Sequence, residues 1–397
     1  MSKLTPETRK GLKPRTKLVV AGRDPEAQHG FINQPAWRGS TVLFPTVAAL
    51  KSRGQRFTYG TKGTPSTQAL ESAWSEIAGA DATVLAPTGL AALSLALLTA
   101  VKAGDHILVT DSAYGPTRHF CDTVLKRLGV ETQYYDPYAG AEIAALMRPN
   151  TSAVLAEAPG SQSFEMQDIP AISKAAHARG ACVIVDNTWA TPLFFPPHER
   201  GADLAVEAGT KYLSGHSDLL MGLVSANAEW SGRLRETFDA FAMCAGPDDI
   251  FLALRGLRTM ELRLREAERQ GLALARWFSG RPEVLEVLHP ALPGHRGHEI
   301  WKRDFSGSSG LFSVILKPAS QAAVAAMLDG LELFGMGYSW GGFESLVIPF
   351  DCSTYRTATK WAPGGPALRF QVGLEDMNDL TADLEKGFER LRGVGGR

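Results

Sequence analysis

Cysteine is scarce in this sequence and scattered where it occurs. Cys121, Cys182, Cys244 and Cys352 are the only four in 397 residues, and no two form a Cys-x-x-Cys pair. A disulfide framework and a cysteine zinc site are therefore not expected. Free thiols suit a reducing, cytoplasmic setting. An excess of charge is also missing: 41 Lys and Arg against 42 Asp and Glu give a formal net charge of −1. Nothing in that balance points to nucleic acid or to an anionic membrane. Long apolar runs are absent too. The longest helical one, Leu90 to Val101, is too short and too rich in Ala, Ser and Thr to span a bilayer. Met1 to Arg15 carries several charges and no apolar run, so a secretory signal is not expected. No metal site is expected from the histidines. His29, His119, His216, His295 and His298 lack ligand spacing, and His295 and His298 are expected to be solvated in a Pro/Gly-rich segment.

What is present is the mix of an ordinary globular chain, 44% hydrophobic and 21% charged. At ~150 residues per unit, the length suggests about two to three structural units. Residues 1–62 have few apolar periods and several Pro, Gly and Arg, and read as an arm that needs another surface, such as a neighbouring subunit. Residues 63–256 read as a large domain. There short apolar runs alternate with helical stretches: Thr83–Ala86, His106–Thr110, Ala153–Ala156, Cys182–Val185 and Leu204–Glu207. Alternation of this kind predicts an α/β fold with a mainly parallel sheet covered by helices. Leu254 to Phe278 predicts one long amphipathic helix into a smaller α+β domain, residues 257–397. That domain has strands at Gly310–Leu316 and Ala367–Val372 and a helix over Ala319–Leu331.

Open parallel sheets bind ligands beyond the carboxyl ends of their strands. After the first strand come Thr88, Gly89 and Leu90 at a helix start, where a close backbone and free N–H groups favour phosphate. The later strand ends supply Asp111 and Tyr114, then Glu157, then Asp186, then Thr210 and Lys211. Singly these residues are ordinary: an Asp after a strand is often a cap, and a lone Lys is usually on the surface. Together they suit pyridoxal phosphate. Lys211 can bind the cofactor covalently and move protons. Asp186 can keep the ring nitrogen protonated, so that the ring acts as an electron sink. Tyr114 can stack, and Thr210 can add to the phosphate contacts.

Asp186-Asn187-Thr188 followed by Gly209-Thr210-Lys211-Tyr212-Leu213-Ser214-Gly215-His216 resembles the signature of the Cys/Met-metabolism family of PLP-dependent enzymes. The resemblance runs from Tyr59-Gly60-Thr61-Lys62-Gly63-Thr64 to Arg369-Phe370-Gln371-Val372-Gly373-Leu374-Glu375. It implies a fold-type I (aspartate aminotransferase-like) architecture and a homotetramer built as a dimer of dimers. It implies Lys211 as the Schiff-base lysine, Asp186 as the pyridinium partner and Tyr114 stacked on the ring and able to act on the substrate. Phosphate contacts would come from Gly89, Leu90 and Thr210, with Tyr59 reaching the neighbouring subunit's cofactor. Ser339 and Arg369 would hold the substrate α-carboxylate, a planar anion that suits a bidentate guanidinium.

Tyr338-Ser339-Trp340-Gly341-Gly342-Phe343-Glu344-Ser345 resembles the cystathionine β-lyase group, where γ-class members carry Leu in place of Trp340. A buried Trp can also be mere packing. The expected activity is β-elimination of a sulfur amino acid, L-cystathionine giving homocysteine, pyruvate and ammonia, with other cysteine S-conjugates as further substrates. The alternatives are γ-elimination or γ-replacement, racemisation as a side activity, and a non-catalytic PLP-binding relative. The chain departs from the family pattern in three places. Thr61 replaces a phosphate-binding Arg, with Lys62 beside it as a point charge; Ala208 replaces a serine; and Glu157-Ala158-Pro159-Gly160-Ser161 lacks the Asn-Pro usual after that proline in γ-type members.

Overall fold

Runs of Val, Ile, Leu and Ala with polar residues only at their ends form strands buried on both faces. The computed structural model describes residues 6–395. Residues 1–5 of the expected arm and 396–397 at the other end lie outside the described residues. Seven strands build the larger sheet: β1 (Ala82–Ala86), β2 (His106–Thr110), β3 (Glu131–Tyr135), β4 (Thr151–Glu157), β5 (Cys182–Asp186), β6 (Leu204–Ala208) and β7 (Gly222–Ala226). Their order is β1-β7-β6-β5-β4-β2-β3. Neighbours from β6 through β3 run parallel, and β7 is antiparallel to both β1 and β6. Val154, Val183, Val185 and Phe194 belong to one buried cluster, while Leu93, Leu97, Leu155 and Ile184 belong to another. Alternation along the strands puts the two clusters on opposite faces.

The smaller sheet has the order β10-β11-β12-β9-β8. Its strands are β8 (Val284–Leu288), β9 (Leu311–Leu316), β10 (Gly335–Met336), β11 (Leu346–Phe350) and β12 (Ala367–Gln371). A third cluster of Phe278, Phe312, Phe370, Phe388 and their neighbours fills it. Fully burying a side chain of that kind contributes about 1.5–3 kcal/mol. The helix expected over Ala319–Leu331 occupies Gln321–Asp329, its start fixed by Ser320, whose hydroxyl accepts from Ala323 N.

Two expectations are corrected. The single helix over Leu254–Phe278 is two, Pro247–Leu257 and Met260–Ser279. At the break the Arg258 guanidinium donates to Leu18 O at 2.7 Å and Ala21 O at 2.8 Å. Arg263 turns back to Gly256 O at 2.8 Å. These side-chain bonds take the place of a continuous backbone ladder. His295, expected in solvent, is buried; its Nδ1 accepts from Gly297 N, and burial lowers its pKa to about 4. Among the described residues no His, Cys, Asp and Glu side chains gather as a metal site. No helix there is long and apolar enough to cross a membrane.

Candidate active site

Parallel order puts the carboxyl ends of β2, β4, β5 and β6 along one edge, and the chemistry-bearing residues stand there. The helix Gly89–Ala100 starts beside this edge, capped by Thr88, whose hydroxyl accepts from Ala91 N. The amides of Gly89 and Leu90 come before the first intrahelical bond, Ala92 N to Thr88 O. They are free to hold an anion, and the helix dipole favours one. A Cβ on Gly89 would come within 2.8 Å of the Ala208 Cβ, so glycine is what lets this helix start lie against β6.

Lys211 follows β6. Its Nζ donates to Ser339 Oγ at 2.6 Å and lies 5.3 Å from the centre of the Trp340 ring. The Trp340 indole in turn sits 5.6 Å from the Tyr212 ring. Burial, followed by the positive charge of Arg369, lowers the Lys211 pKa to about 8, against a smaller opposing pull from Asp186. Ser339 is held at φ 85° and Gly341 at φ 83°, so the backbone around Trp340 is turned back on itself. A Cβ on Gly341 would press to 3.1 Å on the Lys211 backbone, so the indole segment rests directly on the lysine turn.

Asp186 ends β5, and its Oδ1 accepts from Thr188 N at 3.1 Å and Thr188 Oγ1 at 2.6 Å. Burial raises its pKa, and these two donors and the Lys211 charge counter the rise. Tyr114 is half-exposed, and its backbone N–H donates to Glu157 Oε2 at 2.8 Å. Burial, then Glu157 and Asp186, raise the phenol pKa, so Tyr114 keeps its proton near neutral pH. Arg369 lies on β12, buried, and donates to Ser339 O at 3.1 Å. Burial lowers its pKa to about 10, still cationic near neutral pH. Lys211, Ser339, Trp340, Arg369, Asp186 and Tyr114 thus form one set linked by bonds and charge.

Three further residues named from the sequence stand outside this linked set. The Thr210 hydroxyl donates to Met221 O at 3.2 Å and accepts from Met221 N at 3.1 Å, so its proton is committed within the fold. The Lys62 ammonium pairs with Asp239 at 3.1 Å. Tyr59 lines another cavity of about 340 Å³ with Trp37, Arg38, Thr61, Glu71 and Arg235. That cavity includes none of the Lys211 set.

Other contributors escape a reading by motif. Arg263 donates to Tyr212 O at 2.8 Å and Leu213 O at 3.2 Å, clamping the turn that follows Lys211. Asp111 accepts from the backbone of Thr357, Ala358 and Thr359 and from Arg118, tying a loop of the C-terminal part to the end of β2. Its place just after a strand is the one sequence signal it carries.

The described groups match what pyridoxal 5'-phosphate requires: an anion cradle, a buried acid and a lysine amine close to neutrality. The pattern of the Cys/Met metabolism PLP-dependent enzyme family matches residues 15–389. The chain belongs to that family. A "Putative cystathionine beta-lyase" of Rhizobium johnstonii is 54% identical over 383 residues, covering 96% of each chain. "Cystathionine beta-lyase MetC" of Escherichia coli is 40% identical over 388 residues, covering 95% of this chain and 98% of that one. The crystal structure of metB from Corynebacterium glutamicum superposes with a TM-score of 0.89 at 29% identity, covering 96% of this chain and 99% of that one. The fold is therefore that of the Cys/Met metabolism enzymes, and this chain is a PLP-dependent enzyme.

Proposed function

We propose that this enzyme is a carbon–sulfur lyase that β-eliminates L-cystathionine to homocysteine, pyruvate and ammonia. The observation that carries the reading is Trp340, whose ring lies 5.3 Å from the Lys211 amine, beside Arg369 and Ser339. Pyridoxal 5'-phosphate, when bound, supplies the sink for the electron pair left as the substrate Cα loses its proton.

The rest is done by side chains. Gly89 and Leu90 offer backbone N–H groups to the phosphate, and Asp186 offers a carboxylate to the ring nitrogen. Arg369 has five donors, of which one bond goes to Ser339 O, so a pair remains for the substrate carboxylate. Lys211, with a pKa of about 8, is partly unprotonated near neutral pH and takes the Cα proton. Lys211 or Tyr114 returns a proton to the departing sulfur. A γ-elimination would need a second proton taken at Cβ, so the base would have to travel. An indole 5.3 Å from Nζ would narrow the room for that travel.

In this reading the arm (1–62), the cofactor-binding part (63–256) and the C-terminal part (257–397) act together across a subunit boundary in a cytoplasmic homotetramer. Tyr59 and Lys62 would serve a neighbouring subunit's phosphate. Support comes from the arm, which exposes Phe31 to 74% and Leu43 to 86%. The test is the keto acid released from L,L-cystathionine by the loaded enzyme. Pyruvate in step with homocysteine is the expected result. 2-Oxobutyrate with cysteine would overturn the β assignment.

A further inference from the structure

In the proposed reaction the Tyr114 phenol can return a proton to the departing sulfur, yet its ring is 45% exposed. The place of the phenol is therefore set chiefly by the backbone that carries it. Tyr114 stands between β2 and the helix Gly115–Phe120. Its carbonyl accepts from Thr117 N at 2.9 Å and from Arg118 N at 3.1 Å, the first bonds of that helix. Its N–H donates to Glu157 Oε2 at 2.8 Å.

Glu157 is itself firmly held. It ends β4, the strand between β2 and β5, and stands in register with Asp186. Its carbonyl accepts from Gln167 Nε2 at 2.5 Å, and the fully buried Gln167 accepts in turn from the Tyr135 hydroxyl at 2.8 Å. Two further contacts tie the loop before Tyr114 to the segment after β4. Ser161 N donates to Ser112 O at 2.9 Å, and a Cβ on Gly160 would collide with Ser112 Oγ. Those contacts hold Ser112, two residues before the tyrosine, whereas the Glu157 carboxyl holds the tyrosine's own N–H. A backbone N–H that loses its acceptor turns toward another one, and the ring would move with it.

We propose that Glu157 is a positioning residue for Tyr114: Oε2 fixes the Tyr114 N–H and, through it, the place from which the phenol moves protons. The catalytic consequence rests on the proposed role of Tyr114, whereas the bond does not. The carboxyl serves here as an acceptor, not as a charge. Burial, then the charge of Asp186, raises the Glu157 pKa well above the usual carboxylate range. Neutral replacements that keep or remove the acceptor oxygen therefore isolate the bond.

The test uses the full chain loaded with pyridoxal 5'-phosphate and carrying 3-fluorotyrosine. E157Q keeps an acceptor oxygen; E157M keeps the length and lacks one. The Tyr114 fluorine line is identified by its loss in Y114F. E157Q is expected to leave that line in place and to keep kcat for pyruvate release from L,L-cystathionine within about 2-fold of the wild type. E157M should shift or split the line and lower kcat about 10-fold with KM nearly unchanged. E157M combined with Y114F should lose no more than Y114F alone, because a misplaced phenol and a missing one are the same defect. An unmoved line in E157M, losses that multiply in the double variant, an E157Q as impaired as E157M, or an E157M that does not fold would overturn the proposal. The fluorine line needs no turnover, so it decides the Glu157 bond even if the lyase reading fails.

Discussion

Replacing Lys211 by alanine is expected to lower kcat on L,L-cystathionine by on the order of 10³-fold or more, because one amine serves as both cofactor anchor and base. The fold should survive the change. The side chain makes one hydrogen bond, to Ser339, and burial already works against its charge. K211A should therefore keep or slightly exceed the wild-type melting temperature. Pyruvate release and a thermal melt on the same preparation separate the two effects. Full turnover in K211A would place the base elsewhere. A collapsed melt would make Lys211 structural.

Arg369 should show the second largest effect. Its guanidinium is buried, anchored on Ser339 O and within electrostatic reach of Tyr114. R369A removes the partner of the substrate carboxylate and should reduce kcat/KM by about 10²–10³-fold. R369K keeps a charge without the two-pronged geometry and should recover only part of that loss. Cofactor content should be unchanged in both variants, since no proposed cofactor contact involves this side chain. Loss of bound cofactor in R369A would move Arg369 from substrate to cofactor binding.

Strand interiors were legible because continuous apolar runs such as Cys182–Val185 have no alternative to burial on both faces. β3, Glu-Thr-Gln-Tyr-Tyr, is not: it is an edge strand that opens on polar residues, so no apolar run marks it. β7, Gly-Leu-Val-Ser-Ala, opens with glycine and has only Leu and Val as large apolar residues, so no run announces it. The helix expected over Leu254–Phe278 is over-read because helical periodicity continues through Arg258 and Thr259. The break there comes from arginine bonds to carbonyls at Leu18 and Ala21, about 240 positions away.

Within the site, Lys211, Asp186 and Tyr114 can be found because each stands at or shortly after a strand end. Their meeting with Ser339, 128 positions from Lys211, was expected only through resemblance. Local spacing is blind to such contacts. Arg263 holds the lysine turn from a helix 50 residues on. Lys62 and Thr210 have contacts within the chain that no spacing announces: Asp239 pairs with the Lys62 ammonium, and the Met221 carbonyl accepts from the Thr210 hydroxyl.

The most direct measurement is borohydride reduction of the native chain loaded with pyridoxal 5'-phosphate, followed by mass mapping of the lysine that keeps the label. The account predicts one labelled peptide, with the label on Lys211. Label on any other lysine, or none that survives reduction, would contradict it.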